Sequence, residues 1–274
     1  MRWAYVIDDD KKIYLSERGC HFLEAEVTSI ETKTTEQEIA GRDGVLVGAN
    51  TFGSFELSLN FYYDGTDSND LKLFVEKLKK IIHSRKTMYV VHSDMPGRKY
   101  AFNSAQVEWE NITNSDTTFT ITFNCYKGYS ESLLNTVQMS LSNDYKWQFE
   151  NGHLSDSGIK YQHTNTNFSI YNGSDDMIDP SLGYWIVIKI NIDAPNGFKL
   201  INNTTGDTFE YKKAIKKNQQ LVIDGVHPVM NNKRVGVDTN WQWIRLDKGY
   251  NDIEITGKGI NNPRIEFLFN FVYR

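Results

Sequence analysis

The sequence predicts a mainly β protein of two domains. Apolar residues alternate with polar ones in most segments, which is the period of a strand with one buried face. One segment, Leu71 to Ile82, instead has the three-to-four-residue spacing of an amphipathic helix. A stretch rich in Ser, Asn and Gln between Tyr129 and Asn165 separates the two alternating regions. We therefore expect an N-terminal β-sandwich-like domain with one covering α-helix over residues 1–140, and a C-terminal antiparallel β-sandwich over residues 141–274.

The first half contains several strand signals and one helix. Asp8-Asp9-Asp10 stands between an early strand and Lys11-Lys12, as in a hairpin turn. The helix is expected to begin at Asp67 or Ser68 and to end near His83, covering one side of a sheet. Alternation predicts further strands at Phe55 to Tyr63, Met88 to Val91, Phe102 to Trp109 and Phe119 to Cys125.

The segment from Gly41 to Gly53 is irregular and contains four glycines. A phosphate-binding glycine loop lies between a strand and a helix, whereas a strand follows this segment. We therefore expect a loop or hairpin that stands off the sheet.

The second half has short strands at regular spacing, which is typical of an antiparallel sandwich. Turn signals such as Pro195-Asn196-Gly197 and Asp224-Gly225 separate them. The predicted strands are Tyr184 to Ile192, Gly197 to Asn202, Thr208 to Lys212, Gln219 to Ile223, Trp241 to Leu246, Asp252 to Thr256 and Arg264 to Tyr273.

Charge and composition disfavour several classes of protein. The net charge is −5 and basic residues are scattered, unlike the basic stripe of a nucleic-acid-binding protein. The basic run from Lys72 to Lys86 has helical spacing and is interpreted as the solvated face of the helix. No signal peptide or membrane-spanning run is expected. Cys20 and Cys125 could in principle pair, but we expect buried free thiols in a protein made in a reducing cytoplasm.

No pattern of residues predicts catalysis. The six histidines form no metal-binding motif, and no nucleophile elbow occurs. Asp175, Asp176 and Asp179 lack the alternating ligands of a calcium loop, so we interpret them as part of a turn. The protein is therefore predicted to need no cofactor or metal and not to be an enzyme.

Aromatic residues of the second half leave three alternatives open. Trp241 and Trp243 are two positions apart in a predicted strand and would share a face, with Tyr250 nearby in sequence. That face can be the sandwich core, a subunit interface or a platform on which sugar rings stack.

The order of features resembles a known family. Early strands, the loop at Gly41-Arg42-Asp43-Gly44, an apolar strand, one amphipathic helix and the alternating Phe119-to-Cys125 strand follow one another. This order is similar to the N-terminal domain of distal tail proteins from siphophages of Gram-positive hosts. The second half, with NQQLVIDG at Asn218 to Gly225 and WIRLDKGYNDIEITG at Trp243 to Gly257, resembles their galectin-like C-terminal sandwich.

The resemblance implies a structural virion protein at the tail tip or baseplate. It implies a ring, usually a homohexamer, that closes the tail tube and leaves a central channel for DNA. Implied partners are the tail tube protein, a tail-associated lysin or tail-fibre hub protein, and receptor-binding or other baseplate proteins, without specific nucleic-acid or membrane binding. A stand-off loop beside an edge strand suits pairing with a neighbouring subunit. The expected ring contact comprises Gly41, Arg42, Asp43, Gly44, Asn50, Thr51, Phe52 and Gly53.

The alternative is a carbohydrate-binding adhesion protein of the tail tip that contacts the host wall through Trp241, Trp243 or Tyr250. The chain has no room for the inserted carbohydrate-binding modules of some relatives. A galectin-like fold does not by itself bring sugar binding.

Overall fold

The computed structural model describes residues 2–17, 19–138 and 158–274. The chain forms two compact units, one of residues 1–131 with Arg274 and one of residues 132–273. Strands dominate both units and pair antiparallel along the main sheets, and the described residues contain one α-helix. The predicted mainly β class is therefore confirmed, whereas the predicted boundary after residue 140 lies outside the described residues.

The N-terminal unit is built on one long antiparallel sheet. The strands up to the unit boundary are β1 (Ala4–Asp8), β2 (Lys11–Tyr14), β3 (Cys20–Val27), β4 (Thr32–Lys33), β5 (Glu36–Glu38), β6 (Val45–Val47), β7 (Thr51–Phe52), β8 (Phe55–Asp64), β9 (Met88–His92), β10 (Arg98–Asn111), β11 (Asp116–Cys125) and β12 (Ser130–Ser132). The main sheet has the order β2-β1-β9-β10-β11-β8-β3. The rings of Phe22 in β3 and His92 in β9 lie 6.1 Å apart, so the sheet curls until these two strands face each other.

Strict alternation explains the centre of this sheet. In β8 and β11 every second side chain is buried, including Leu59, Phe61, Ile121 and Phe123, while the other face is mostly polar. The predicted hairpin at Asp8 is also confirmed: Asp9 and Asp10 both have positive φ, as a two-residue turn requires.

Helix α1 (Ser68–Ile82) covers the apolar face of the sheet, as predicted. The Asp67 carboxylate accepts hydrogen bonds from the backbone N–H groups of Asn69 and Asp70, at 2.8 and 2.9 Å. These bonds satisfy donors that have no partner within the helix. Leu78 and Ile82 are buried in the core. The opposite side of the helix, which carries several lysines, faces solvent.

The C-terminal unit consists of two antiparallel sheets. Its strands are β13 (Gln162–His163), β14 (Asn167–Asn172), β15 (Ile186–Asp193), β16 (Phe198–Asn202), β17 (Asp207–Tyr211), β18 (Leu221–Asp224), β19 (His227–Met230), β20 (Lys233–Arg234), β21 (Gly249–Thr256), β22 (Asn261–Phe269) and β23 (Val272–Tyr273). One sheet has the order β13-β22-β15-β18-β19-β20 and the other β14-β21-β16-β17. Rings from the two sheets meet, with Phe168 6.2 Å from Phe267. The galectin-like character of this unit stays a prediction.

One predicted strand of this unit is wrong, and another is interrupted. Residues 241–246 form no strand, because Trp241 has a φ of +60° and the backbone turns there. The Asn240 side chain holds the turn by donating to the Thr208 carbonyl and accepting from the Glu210 N–H. The final strand is interrupted after β22, where the Asn270 amide donates to the carbonyls of Ser132 and Leu134.

Candidate functional site

Residues 32–52 form a hairpin arm between β3 and β8. Strand β4 pairs with β7 and β5 pairs with β6, and neither ladder joins the main sheet. Every residue from 31 to 52 is exposed. The turn at the tip contains Gly41 and Gly44, whose φ values of +82° and +80° favour glycine. The predicted loop or hairpin is therefore a β-ribbon that stands off the unit.

The middle of the hairpin arm is apolar although it faces solvent. Val45, Leu46 and Val47 follow one another in β6, and Val47 is 63% exposed. Directly paired residues share a face of a ribbon, so Val45 and Val47 lie beside Glu38 and Glu36. One face of the arm thus carries a valine stripe next to a glutamate stripe. Apolar side chains collected on a ribbon without a core beneath them are typical of a surface that a partner buries.

The base of the hairpin arm is fixed to the unit. The Gly53 N–H donates to the Glu31 carbonyl at 2.8 Å. The Arg274 guanidinium lies over the Phe52 ring, 3.6 Å from its centroid, and donates to the Gly128 carbonyl at 3.4 Å. Gly128 has a φ of +70°, and a Cβ there would lie 2.8 Å from the Gly53 carbonyl oxygen. The arm therefore leaves the unit in a defined direction.

The predicted contact residues fall at the two ends of the arm. Gly41 to Gly44 form the tip and Asn50 to Gly53 form the base. With about six residues between them, these groups lie about 20 Å apart in an extended ribbon. The apolar stripe of β6 between them, together with Arg274 at the base, was missed by the sequence reasoning. The run Val45-Leu46-Val47 indicates an apolar strand but does not show whether that strand is exposed or buried. Nothing in the sequence pairs Arg274 with Phe52.

The outer face of β3, β8 and β11 in the main sheet is largely polar. No Lys or Arg occurs in β3, β8 or β11. Hydrogen bonds run across the strands: Thr120 donates to Asn60 at 2.6 Å, and Asn60 donates to Glu24 at 3.2 Å. This gives a flat surface of hydroxyl, amide and carboxylate groups.

The predicted aromatic residues of the C-terminal unit do not form one platform. Trp241 is 67% exposed, and its ring packs over Gly236. Trp243 is half-buried on the same loop, which lies along β17. Tyr250 is on β21 against Tyr171 of β14, with ring centroids 4.9 Å apart. Since β16 separates β21 from β17, the tyrosine and the loop occupy different parts of the sheet.

An ion pair braces the loop of Trp243. The Arg245 guanidinium donates to both carboxylate oxygens of Asp207, at 2.7 and 3.0 Å. Burial alone raises the pKa of Asp207, but the hydrogen bonds from the Arg245 side chain and backbone lower it below its usual value. The Asn202 amide also donates to the Arg245 carbonyl at 2.7 Å. These contacts stabilise the loop and leave no group activated for catalysis among them.

The described ranges contain neither a metal-binding cluster nor a membrane-spanning helix. No group of three or more His, Cys, Asp or Glu side chains within them is arranged to hold a metal ion. No helix in this part of the chain has the length and apolar character needed to span a membrane. Cys20 and Cys125 are buried free thiols, as predicted, and burial raises the pKa of each to about 12.

Comparison with known structures supports the fold. The crystal structure of the SPP1 Dit protein, described as a paradigm of the hub adsorption apparatus in phages that infect Gram-positive hosts, matches with a TM-score of 0.68 and 14% sequence identity. The match covers 98% of this chain and 99% of that chain. Two structures of the phage P2 baseplate in its activated conformation, with Ca and with Sr, match at TM-scores of 0.46 and 0.45 and identities of 11% and 12%. Those matches cover 99% and 98% of this chain and 98% of each of those chains, but they are too distant to support an inference.

Comparison with protein families gives two matches. Residues 9–125 match the phage tail protein RIFT-related domain, and residues 155–262 match a phage tail C-terminal domain. None of the curated proteins matches the sequence. The predicted resemblance to phage tail proteins is confirmed by these two matches, and the likeness to the SPP1 protein supports the predicted fold. Each half of the chain therefore contains a region that matches a domain of phage tail proteins.

Proposed function

We propose that the chain forms a hexameric ring at the distal end of a phage tail and joins the tail tube to the baseplate. The observation that supports this most strongly is the hairpin arm. It exposes the apolar residues of β6 on a ribbon whose base is fixed by Arg274 and Gly128. An arm that leaves one subunit and buries this stripe on the next makes a head-to-tail contact, and such contacts form a ring when the rotation between successive subunits closes.

A central channel for DNA is consistent with the polar face of the main sheet. DNA adheres to basic surfaces through its phosphates. Strands β3, β8 and β11 offer hydroxyls, amides and carboxylates and no basic side chain. We infer that this face lines the channel, where it lets DNA pass without binding it.

The proposed partners follow from the position of the ring. The tail tube protein lies above it, and a tail-associated lysin or tail-fibre hub protein lies below. The C-terminal unit holds receptor-binding or other baseplate proteins. The SPP1 protein of similar fold is described as part of a hub adsorption apparatus, which is the role proposed for this chain.

Deletion of Asn50 to Gly53, or Phe52→Ala, tests the arm as the ring contact. Both changes release the arm from Arg274, so we expect at least about a tenfold weaker assembly, equivalent to about 1.4 kcal/mol. Mass photometry of the full chain across a dilution series measures this, and circular dichroism checks that the units remain folded. Unchanged rings from both variants would exclude the arm as the contact.

A second candidate function is binding of host wall carbohydrate. The observation that favours it is Trp241, which is 67% exposed and held rigidly over Gly236. Sugar rings stack on such exposed indole faces. A cell-wall pull-down with the full chain, its Trp241→Ala variant and its Tyr250→Ala variant tests this. Loss of wall binding in Trp241→Ala alone would support adhesion, and the absence of wall binding by the unaltered chain would exclude it.

A further inference from the structure

The helix of the N-terminal unit borders an apolar groove of about 730 Å³. Its floor consists of Leu71 and Val75 from α1 and Trp109 from β10. All three side chains are partly exposed. Leu71 and Trp109 also pack against the core of the unit. The open apolar floor lies at the end of the sheet where β10 turns into β11, near Asn114.

Lysines flank this groove. Lys72 and Lys79 line its helix side, two turns apart, together with Glu76. Lys79 pairs with Glu76 at 3.1 Å, whereas Lys72 has no ion pair among the described residues. The groove therefore has an apolar floor and a rim with an excess of positive charge.

One face of the hairpin arm has the complementary pattern. Val45 and Val47 form its apolar stripe, and Glu36 and Glu38 form the acidic stripe beside it. The two glutamates lie about 7 Å apart along a strand, and the two lysines lie about 10 Å apart along a helix. The flexible lysine side chains can span the difference between these two spacings. The valines of the arm would thus match the apolar groove floor in polarity, and the glutamates would match the lysines of the rim in charge.

The arm of a chain cannot fill the groove of the same unit without reversing direction. The arm joins β8 at Phe55, whereas α1 follows the other end of β8, after Asp64. The ten residues of β8 separate these ends by about 30 Å. Gly53, Gly128 and Arg274 fix the base of the arm at the Phe55 end. The arm of a second copy of the chain is not subject to this constraint.

We propose that the hairpin arm of one copy docks in the groove between α1 and Trp109 of the next copy, with Val45 and Val47 on the groove floor and Glu36 and Glu38 at Lys72 and Lys79. This inference rests on the proposed ring and adds the surface that receives the arm. Apolar burial supplies affinity in such a contact, and the charge pairs fix its register.

Charge reversal tests the rim. The double variant Lys72→Glu/Lys79→Glu should raise the concentration for half-assembly of the full chain at least about tenfold in mass photometry. The matched control Lys77→Glu/Lys80→Glu makes the same charge change on α1 away from the groove and should leave assembly unchanged. Adding Glu36→Lys/Glu38→Lys to the first variant should restore rings. Equal effects of the two pairs, or no rescue, would overturn the proposal.

Cross-linking tests the floor. Because Cys20 and Cys125 are buried, cysteines introduced on the surface react selectively. A short bismaleimide should join Val47→Cys/Val75→Cys chains into covalent ladders up to the full ring. The control Val47→Cys/Leu73→Cys places the second thiol on the same helix but outside the groove, at a residue that is 71% exposed, and should give monomers. Covalent ladders from the control pair alone, or from neither pair, would contradict docking of the arm in the groove.

Failure of this inference differs from failure of the proposed function. If arm deletion abolishes the ring while the groove variants assemble normally, the arm docks elsewhere and the ring stands. If the unaltered chain forms no ring, the proposed function itself is wrong, and the groove assignment is wrong with it.

Discussion

At the scale of single residues, His92 is the most unusual group in the N-terminal unit. Its side chain is 2% exposed, lies between the rings of Phe22 and Tyr100, and has no hydrogen-bond partner at either nitrogen among the residues that the structure describes. Burial lowers its pKa from 6.5 to about 4, although Asp94 opposes part of this shift. His92 is therefore neutral in the folded unit at neutral pH.

Acid is predicted to destabilise the unit through His92. The folded-state pKa is depressed, so the stabilisation is complete above the unfolded pKa near 6.5 and is lost as the pH falls toward 4. Between pH 7.5 and pH 5 this single group should remove about 2 kcal/mol from the free energy of unfolding. Urea unfolding of the full chain and of His92→Phe at both pH values measures the difference. An identical pH dependence in the two proteins would contradict this account.

At the scale of single elements, the Asp67 cap stabilises the first turn of α1, the helix that borders the groove. Asp67→Ala removes the acceptor for the N–H groups of Asn69 and Asp70 and should destabilise the unit by about 1 kcal/mol. Asp67→Asn keeps a side-chain oxygen in the same place and should cost much less. Urea unfolding of the two variants compares them directly. Equal losses of stability would show that charge, rather than the cap hydrogen bonds, is responsible.

The elements also show what the sequence could predict. Strands β8 and β11 were predicted because each buries one face completely, which imposes a strict period of two on residues such as Phe61 and Phe123. Trp241 and Trp243 have the same period without a strand. There the turn depends on Asn240 bonds to β17, thirty or more positions away, and local periodicity does not report such bonds.

The candidate site was predicted only in part for a related reason. Glycines marked the tip of the hairpin arm, because the positive φ of Gly41 and Gly44 favours glycine and so leaves a signature in the sequence. The exposed stripe of Val45, Leu46 and Val47 left no such mark, since an apolar run normally indicates a core strand. Exposure becomes visible only when the ribbon is seen to lack a partner within its own unit.

At the scale of the whole molecule, the two units divide the proposed work. The N-terminal unit has the hairpin arm, the groove and the polar face of the main sheet, which suit ring closure around a channel. The C-terminal unit has two sheets and a braced loop that exposes Trp241, which suit attachment of further tail-tip proteins. Ring formation by the N-terminal unit is the claim on which the rest of this account depends.

Electron micrographs of the purified full chain, classified without imposed symmetry, test that claim most directly. We predict six-fold rings with a central hole, with a mass in solution six times that of the single chain. Deletion of Asn50 to Gly53 should reduce the population of rings in the same preparation. Monomers alone at micromolar concentration, with the baseplate partners present, would contradict the account.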